Sequence, residues 1–184
     1  MKKFELTAES KINIFGKKLF RIKALISFGD VKEGETGGWV EKEENLEQVY
    51  GNAWVYGDAE VYGDARVSGD AEVSGDARVY GNARVYGNAW VSGDARVYGD
   101  AEVSGDARVY GDADYTTIRG FGTQFRATTF FRCKDKQIRV SCGCFFGTIS
   151  EFREQVKNTR KGKIAEEYLM IADLMEKHFA EEAK

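Results

Sequence analysis

The chain of 184 residues contains no proline, one histidine and three cysteines. Without proline, its turns must be built on glycine, which supplies 21 residues, and on Asp and Asn. Cys133, Cys142 and Cys144 form an odd set without a disulfide framework, which suits a reducing cytosol. No apolar run approaches the ~18 residues of a membrane span, and the opening MKKFELTAESK lacks the apolar core of a signal peptide. The expected location is therefore cytoplasmic. A basic excess is missing too: 27 Lys and Arg against 30 Asp and Glu give a net charge of −3. That balance excludes broad non-specific binding to nucleic acid or to an anionic membrane. Disorder is excluded by a hydrophobic share of 42%.

What the sequence has in abundance is repetition. From Val49 to Asp114, V-[YS]-G-[DN]-A-x recurs as eleven uninterrupted hexapeptides. A period of six fits neither a helix nor a heptad, and is too short for a hairpin repeat. It fits a strand-turn unit. In A-x-V-[YS] the Ala and Val share one face and the variable pair the other, while G-[DN] turns the chain. Three turns close a triangular coil of 18 residues, so the array predicts a prism roughly 18 Å tall at about 4.8 Å per coil.

Open coil ends need covers. Residues 11–25 alternate around Gly16-Lys17 and predict a hairpin plugging one end. GETGGWVEKEENL (34–46) leads into the first coil. At the other end, residues 128–145 predict a hairpin turning at Lys134-Asp135-Lys136. Its expected sides are Thr129, Phe131 and Cys133 with Ile138, Val140 and Cys142 on one, and Arg132, Arg139 and Ser141 on the other. Thr148 and Glu151 form a capping box opening a helix near 149–160. A last helix near 163–182 carries Ile164, Tyr168, Ile171, Met175 and Phe179 on one side. The expected organisation is an N-terminal cap and lead-in at 1–48, repeats at 49–114, and an α+β cap at 115–184.

The repeat consensus resembles the hexapeptide repeat of left-handed parallel β-helices; the left hand is implied by that resemblance alone. The whole layout is similar to hexapeptide-repeat proteins common in phage and gut-bacterial genomes. These share a KKLFRIKAL-type start, a GGWVEKEENL lead-in and a TTFFR…GCFFGTISEF-type tail. GDVKEGETGGWV also resembles the start of an enterobacterial β-helix family described as acyltransferases. Hexapeptide acyltransferases use a histidine as general base, with acyl-CoA along the prism and the acceptor site shaped by loops extruded from the coils. Here the one histidine, His178, falls in the final helix and no coil extrudes a loop. No catalytic residue, cofactor or metal is assigned.

With 18 residues per coil, outward side chains stack in columns. One face carries Tyr62, Tyr80 and Tyr98, continued by Thr116, beside Glu60, Arg78, Arg96 and Asp114. A second stacks Trp54, Glu72, Trp90 and Arg108 beside Tyr56, Ser74, Ser92 and Tyr110. The third stacks Arg66, Arg84 and Glu102 beside Ser68, Tyr86 and Ser104. Three readings stand: structural ladders, a homo-oligomer interface with a trimer favoured, or a ligand site where bases stack on aromatics and arginines meet phosphate. The tail adds Arg119, Arg126, Arg132 and Arg139 as candidate anion contacts. Asp58, Asp76, Asp94 and Asp112 share one corner, where a cation such as calcium competes with ordinary Asx-turn bonding. The cysteines read as small core residues rather than zinc ligands, since C-x-C is a poor spacing and a fourth ligand is missing.

The sequence thus predicts a non-catalytic, oligomeric cytosolic protein presenting Tyr, Trp and Arg faces to a small anionic, nucleotide-like ligand or a host protein. The phage-type resemblance implies a counter-defence factor that sequesters a host nucleotide signal. The alternatives are an acyl-CoA-dependent transferase and a purely structural module.

Overall fold

In a computed structural model, residues 2–180 are described. The repeats form ten two-residue strands, β4 to β13: Trp54–Val55, Glu60–Val61, Arg66–Val67, Glu72–Val73, Arg78–Val79, Arg84–Val85, Trp90–Val91, Arg96–Val97, Glu102–Val103 and Arg108–Val109. Each pairs in parallel with the strand one coil away, as Glu60 does with Arg78 and Arg78 with Arg96. The result is a β-solenoid of roughly four turns with three faces. Every valine from Val55 to Val109 and every alanine from Ala53 to Ala107 is buried inside it.

The corners bond coil to coil as well. Asp76 N–H donates to Gly93 O at 2.9 Å, and Asn82 N–H to Gly99 O at 2.8 Å. Backbones stacked this closely leave no room for a side chain. A Cβ on Gly81 (φ +72°) would lie 3.0 Å from the Gly99 nitrogen, whereas Gly99 (φ +69°) meets nothing within 4 Å.

The lead-in already follows the coil. Strand β3 (Thr36–Val40) pairs in parallel with β5, Val40 opposite Val61, and Leu46 bridges Val67. These partners are 21 residues apart instead of 18, so the first coil holds three extra residues. Val49, which opens the first hexapeptide by sequence, consequently misses the core and is 63% exposed; Leu46 takes the inner place.

Strands β1 (Phe4–Ile12) and β2 (Lys18–Ala24) form the expected hairpin, longer at its start. Asn13 Oδ1 holds its turn by accepting from the Phe15 and Lys17 amides, both at 3.0 Å. The hairpin continues one solenoid face, giving a six-stranded sheet in the order β1-β2-β3-β5-β8-β11. Phe4, Ile22 and Ala24 join the valine core and so close that end. The free edge of β1 is blunted twice: Gln48 bonds Phe4 on both its N–H and its C=O, and the register slips between Leu6 and Ser10.

At the far end, β14 (Tyr115–Ile118), β15 (Thr128–Arg132), β16 (Ile138–Cys142) and β17 (Phe145–Thr148) form an antiparallel sheet. Phe131 pairs with Arg139 and Phe130 with Val140. The expected sides of this hairpin were therefore one residue out of step across β16. Phe131 and Cys133 cover the last coil, whereas Phe130 and Val140 face the helices. Because both faces are buried, apolar alternation could not fix the side. Helix α1 (Ile149–Thr159) opens on the Thr148–Glu151 capping box, and α2 (Gly162–Phe179) packs Tyr168, Ile171, Met175 and Phe179 inward. Residues 181 and 182 of the expected last helix lie outside the described residues. No helix among the described residues is long and apolar enough to cross a membrane.

Corner packing gives a direct test. Gly99→Ala should cost about 1–2 kcal/mol, the penalty for an L-residue in the left-handed region. Gly81→Ala should cost more, because its Cβ also meets the next coil. Urea midpoints of the two variants measure the difference; equal losses would contradict the close stacking.

Candidate ligand-binding surfaces

The tyrosine column is a true stack. Tyr62 and Tyr80 lie 5.1 Å apart at 3° between ring planes, and Tyr80 and Tyr98 lie 5.4 Å apart at 13°. Its two ends differ. Tyr62 is 4% exposed, packed in a cluster with Leu19 and Trp39, and its hydroxyl has no hydrogen-bond partner among the described residues. Tyr98 is 52% exposed. Tyr62 therefore offers no open surface, contrary to expectation, because the N-terminal hairpin lies over it; Phe15 at the hairpin turn reaches both Tyr62 and Tyr80. Thr116 does not extend the stack, since β14 turns into the antiparallel sheet. Beside the ladder, Glu60 receives Lys11 at 2.9 Å and Arg78 at 3.9 Å. Arg96 is exposed, and its side chain has no ion pair among the described residues.

Trp54 requires the same correction. It is wholly buried, with Phe4 and Phe28 packed edge-on against it at 6.1 and 5.5 Å. Trp90, two coils on in the same column, is 43% exposed. The Arg108 guanidinium lies 4.4 Å over its ring and is anchored by Nη1 donating to the Asn88 and Ala107 carbonyls at 2.9 and 2.8 Å. Here the last coil meets the C-terminal hairpin turn. Between them is a cavity of about 500 Å³ lined by Trp90, Arg108, Tyr110, Asp114, Arg132, Cys133, Lys134 and Lys136.

Four cationic side chains and one carboxylate thus border the cavity beside an exposed indole. Asp114 is taken by Arg132 at 3.4 Å, and Arg132 also donates to the Phe179 carbonyl at 3.0 Å. Lys134 is placed by its N–H bonding Asp106 O at 2.9 Å, and Lys136 occupies a left-handed turn position. Neither lysine has an ion pair among the described residues. Burial pushes the Cys133 thiol up to about 11, so it is no nucleophile at neutral pH. Of the residues singled out by sequence, Trp90, Arg108 and Arg132 converge here. Lys134 and Lys136 read only as turn residues; their signal was two cations flanking the turn of a cap strand.

The remaining candidates lie apart. Arg119 pairs with Asp100, and Arg139 with Asp135 at 2.7 Å. Arg126 borders a different cavity beside α1. His178 is exposed on α2. At the aspartate corner, Asp58 faces Arg21 at 3.7 Å and Asp112 accepts from the Arg96 amide at 2.9 Å. Cys144 is exposed and Cys142 half-buried, so only Cys133 is the core cysteine expected of all three.

A family model described as YdcK Beta solenoid repeat matches residues 77–93, within the central coils. The match agrees with the solenoid and covers neither cap. No curated protein matches the chain.

Buried Tyr62 and half-buried Tyr56 make the solenoid sensitive to alkali. Burial pushes Tyr56 and Tyr62 up from 10.0 to about 12. A raised phenol favours the folded state fully below pH 10 and loses that contribution as pH climbs through 12. Stability should therefore fall between pH 10 and 12. Tyr62→Phe, which also removes the unpaired buried hydroxyl, should flatten that fall in a series of denaturation curves taken across this range.

Proposed function

We propose that this protein is a cytoplasmic, non-catalytic binding protein whose cavity between last coil and cap takes a small anionic, nucleotide-like ligand. The observation that carries this reading is the Arg108–Trp90 stack standing beside Lys134 and Lys136. An exposed indole accepts a base, and unpaired cations accept phosphate. Bound and left intact, such a ligand is sequestered. The likeness to phage hexapeptide-repeat proteins supports sequestration of a host nucleotide signal as a counter-defence role. An acyl-CoA-dependent transferase is the alternative.

Isothermal titration with cyclic mono-, di- and trinucleotides, ADP-ribose-type molecules and acyl-CoAs tests the reading. A nucleotide should bind and be recovered unchanged. Trp90→Ala should weaken it by the roughly 1–3 kcal/mol of a base stack, and Arg108→Ala by at least about tenfold. Binding of acyl-CoA with transfer of its acyl group would favour the transferase; no binding by any of these compounds would remove the nucleotide reading.

A homo-oligomer, with a trimer favoured, is supported by a second observation. Ile12, Ile14, Phe15 and Tyr98 are 65%, 74%, 58% and 52% exposed, and Phe15 touches the tyrosine stack at Tyr80. Aromatic and aliphatic surface of this kind is typical of interface cores. Sedimentation should give a multiple of the 20.6 kDa chain, reduced to a single chain in Ile14→Asp with Tyr98→Arg. A monomeric parent protein would end this reading.

A further inference from the structure

The C-terminal cap holds a cavity that the nucleotide reading does not use. It measures about 430 Å³ and lies between the β16–β17 turn and α1. Its apolar lining is Phe145, Phe152, Val156 and Tyr168, and its polar rim includes Arg126, Arg160 and Cys144. No carboxylate of the described residues lines it. Neither arginine has an ion pair among the described residues. Two guanidiniums without acidic partners at the mouth of an aromatic hollow form an arrangement that an organic anion completes.

The local backbone supports a built site. Gly143 turns β16 into β17 at φ +62°, and Arg126 lies across that turn, its Nη1 2.5 Å from where a Cβ would stand. Gly122 (φ +70°) similarly brings its loop onto Tyr168, where a Cβ would lie 2.5 Å from the hydroxyl. Next to Arg126, Phe125 is held at φ +49° and is 66% exposed. A bulky side chain in the left-handed region is a true outlier, of the kind that clusters at ligand sites. Burial, the Cys142 thiol and the Glu167 carboxylate raise the Tyr168 phenol, against Arg160 and Arg126, which lower it.

We infer that this cavity is a second binding site, for a small aromatic carboxylate whose ring enters the Phe145–Phe152–Tyr168 hollow while Arg126 and Arg160 hold the carboxylate. Charge at the rim and apolar surface within select a ligand that is ionic at one end only. Inorganic phosphate supplies the charge without the ring, and benzyl alcohol the ring without the charge.

The test uses the full chain with benzoate and indole-3-acetate as probes, read by titration and by alkylation of Cys144. Cys144 is the exposed thiol on the rim, and buried Cys133 is the internal control. Both carboxylates should bind and slow Cys144 alkylation at least about threefold, with Cys133 unaffected. Arg126→Ala and Arg160→Ala should each weaken binding about tenfold while the melting temperature holds. Phosphate or benzyl alcohol binding as well as benzoate would overturn the inference, as would full affinity in the doubly substituted protein or an unprotected Cys144. Nucleotide binding at Trp90 is measured separately on the same samples, so failure at one site leaves the other readable.

Discussion

Everything in this molecule depends on backbone stacking between coils. Amides along the strands and at many of the corners bond a carbonyl one coil on, at separations such as 2.9 Å between Arg78 N and Ala95 O. A ladder of that kind fixes the coil spacing at about 4.8 Å and dictates residue type at four of six positions. Glycine is required where corners stack, Asx where they turn, and Ala and Val where the interior is thin. Only the two outward positions escape. Whatever distinguishes one solenoid of this kind from another must be written there and in the caps.

The caps solve the problem that stacking creates, which is an unpaired layer at each end. They do so differently. The N-terminal hairpin extends one face edge-to-edge and folds its turn over the tyrosines. The C-terminal sheet covers the last coil with Phe131 and is itself covered by two helices on Phe130 and Val140. Because that sheet crosses the end of the prism, its turn at Lys134–Lys136 comes to stand against the outward column of Trp90 and Arg108. The charged cavity is a by-product of closing the solenoid there.

The periodic part of the fold was legible because its determinants are local. The valine core, the tyrosine register and the Thr148–Glu151 box are each set within a few residues or one coil. The failures share a cause. VYGNAW at 49–54 matches the consensus, yet its valine is displaced by three extra residues, since Leu46 already occupies the inner place. Trp54 and Tyr62 read as surface because the groups that bury them, Phe4, Phe28, Leu19 and Trp39, come from outside the repeat. Lys134 and Lys136 gain meaning only from residues that the sequence places far upstream.

These failures point to a rule for the outward columns. Exposure rises along both aromatic columns from the N-terminal cap toward the C-terminal one: Tyr62 to Tyr98 goes from 4% to 52%, and Trp54 to Trp90 from 0% to 43%. The same residue type in the same register thus acts as cap packing at one end and as open surface at the other. A repeat cannot announce that division, since it is imposed by what lies on top. Near-identical hexapeptides carry a gradient of exposure, and the open part of each aromatic column lies toward the C-terminal end, where the solenoid stops repeating.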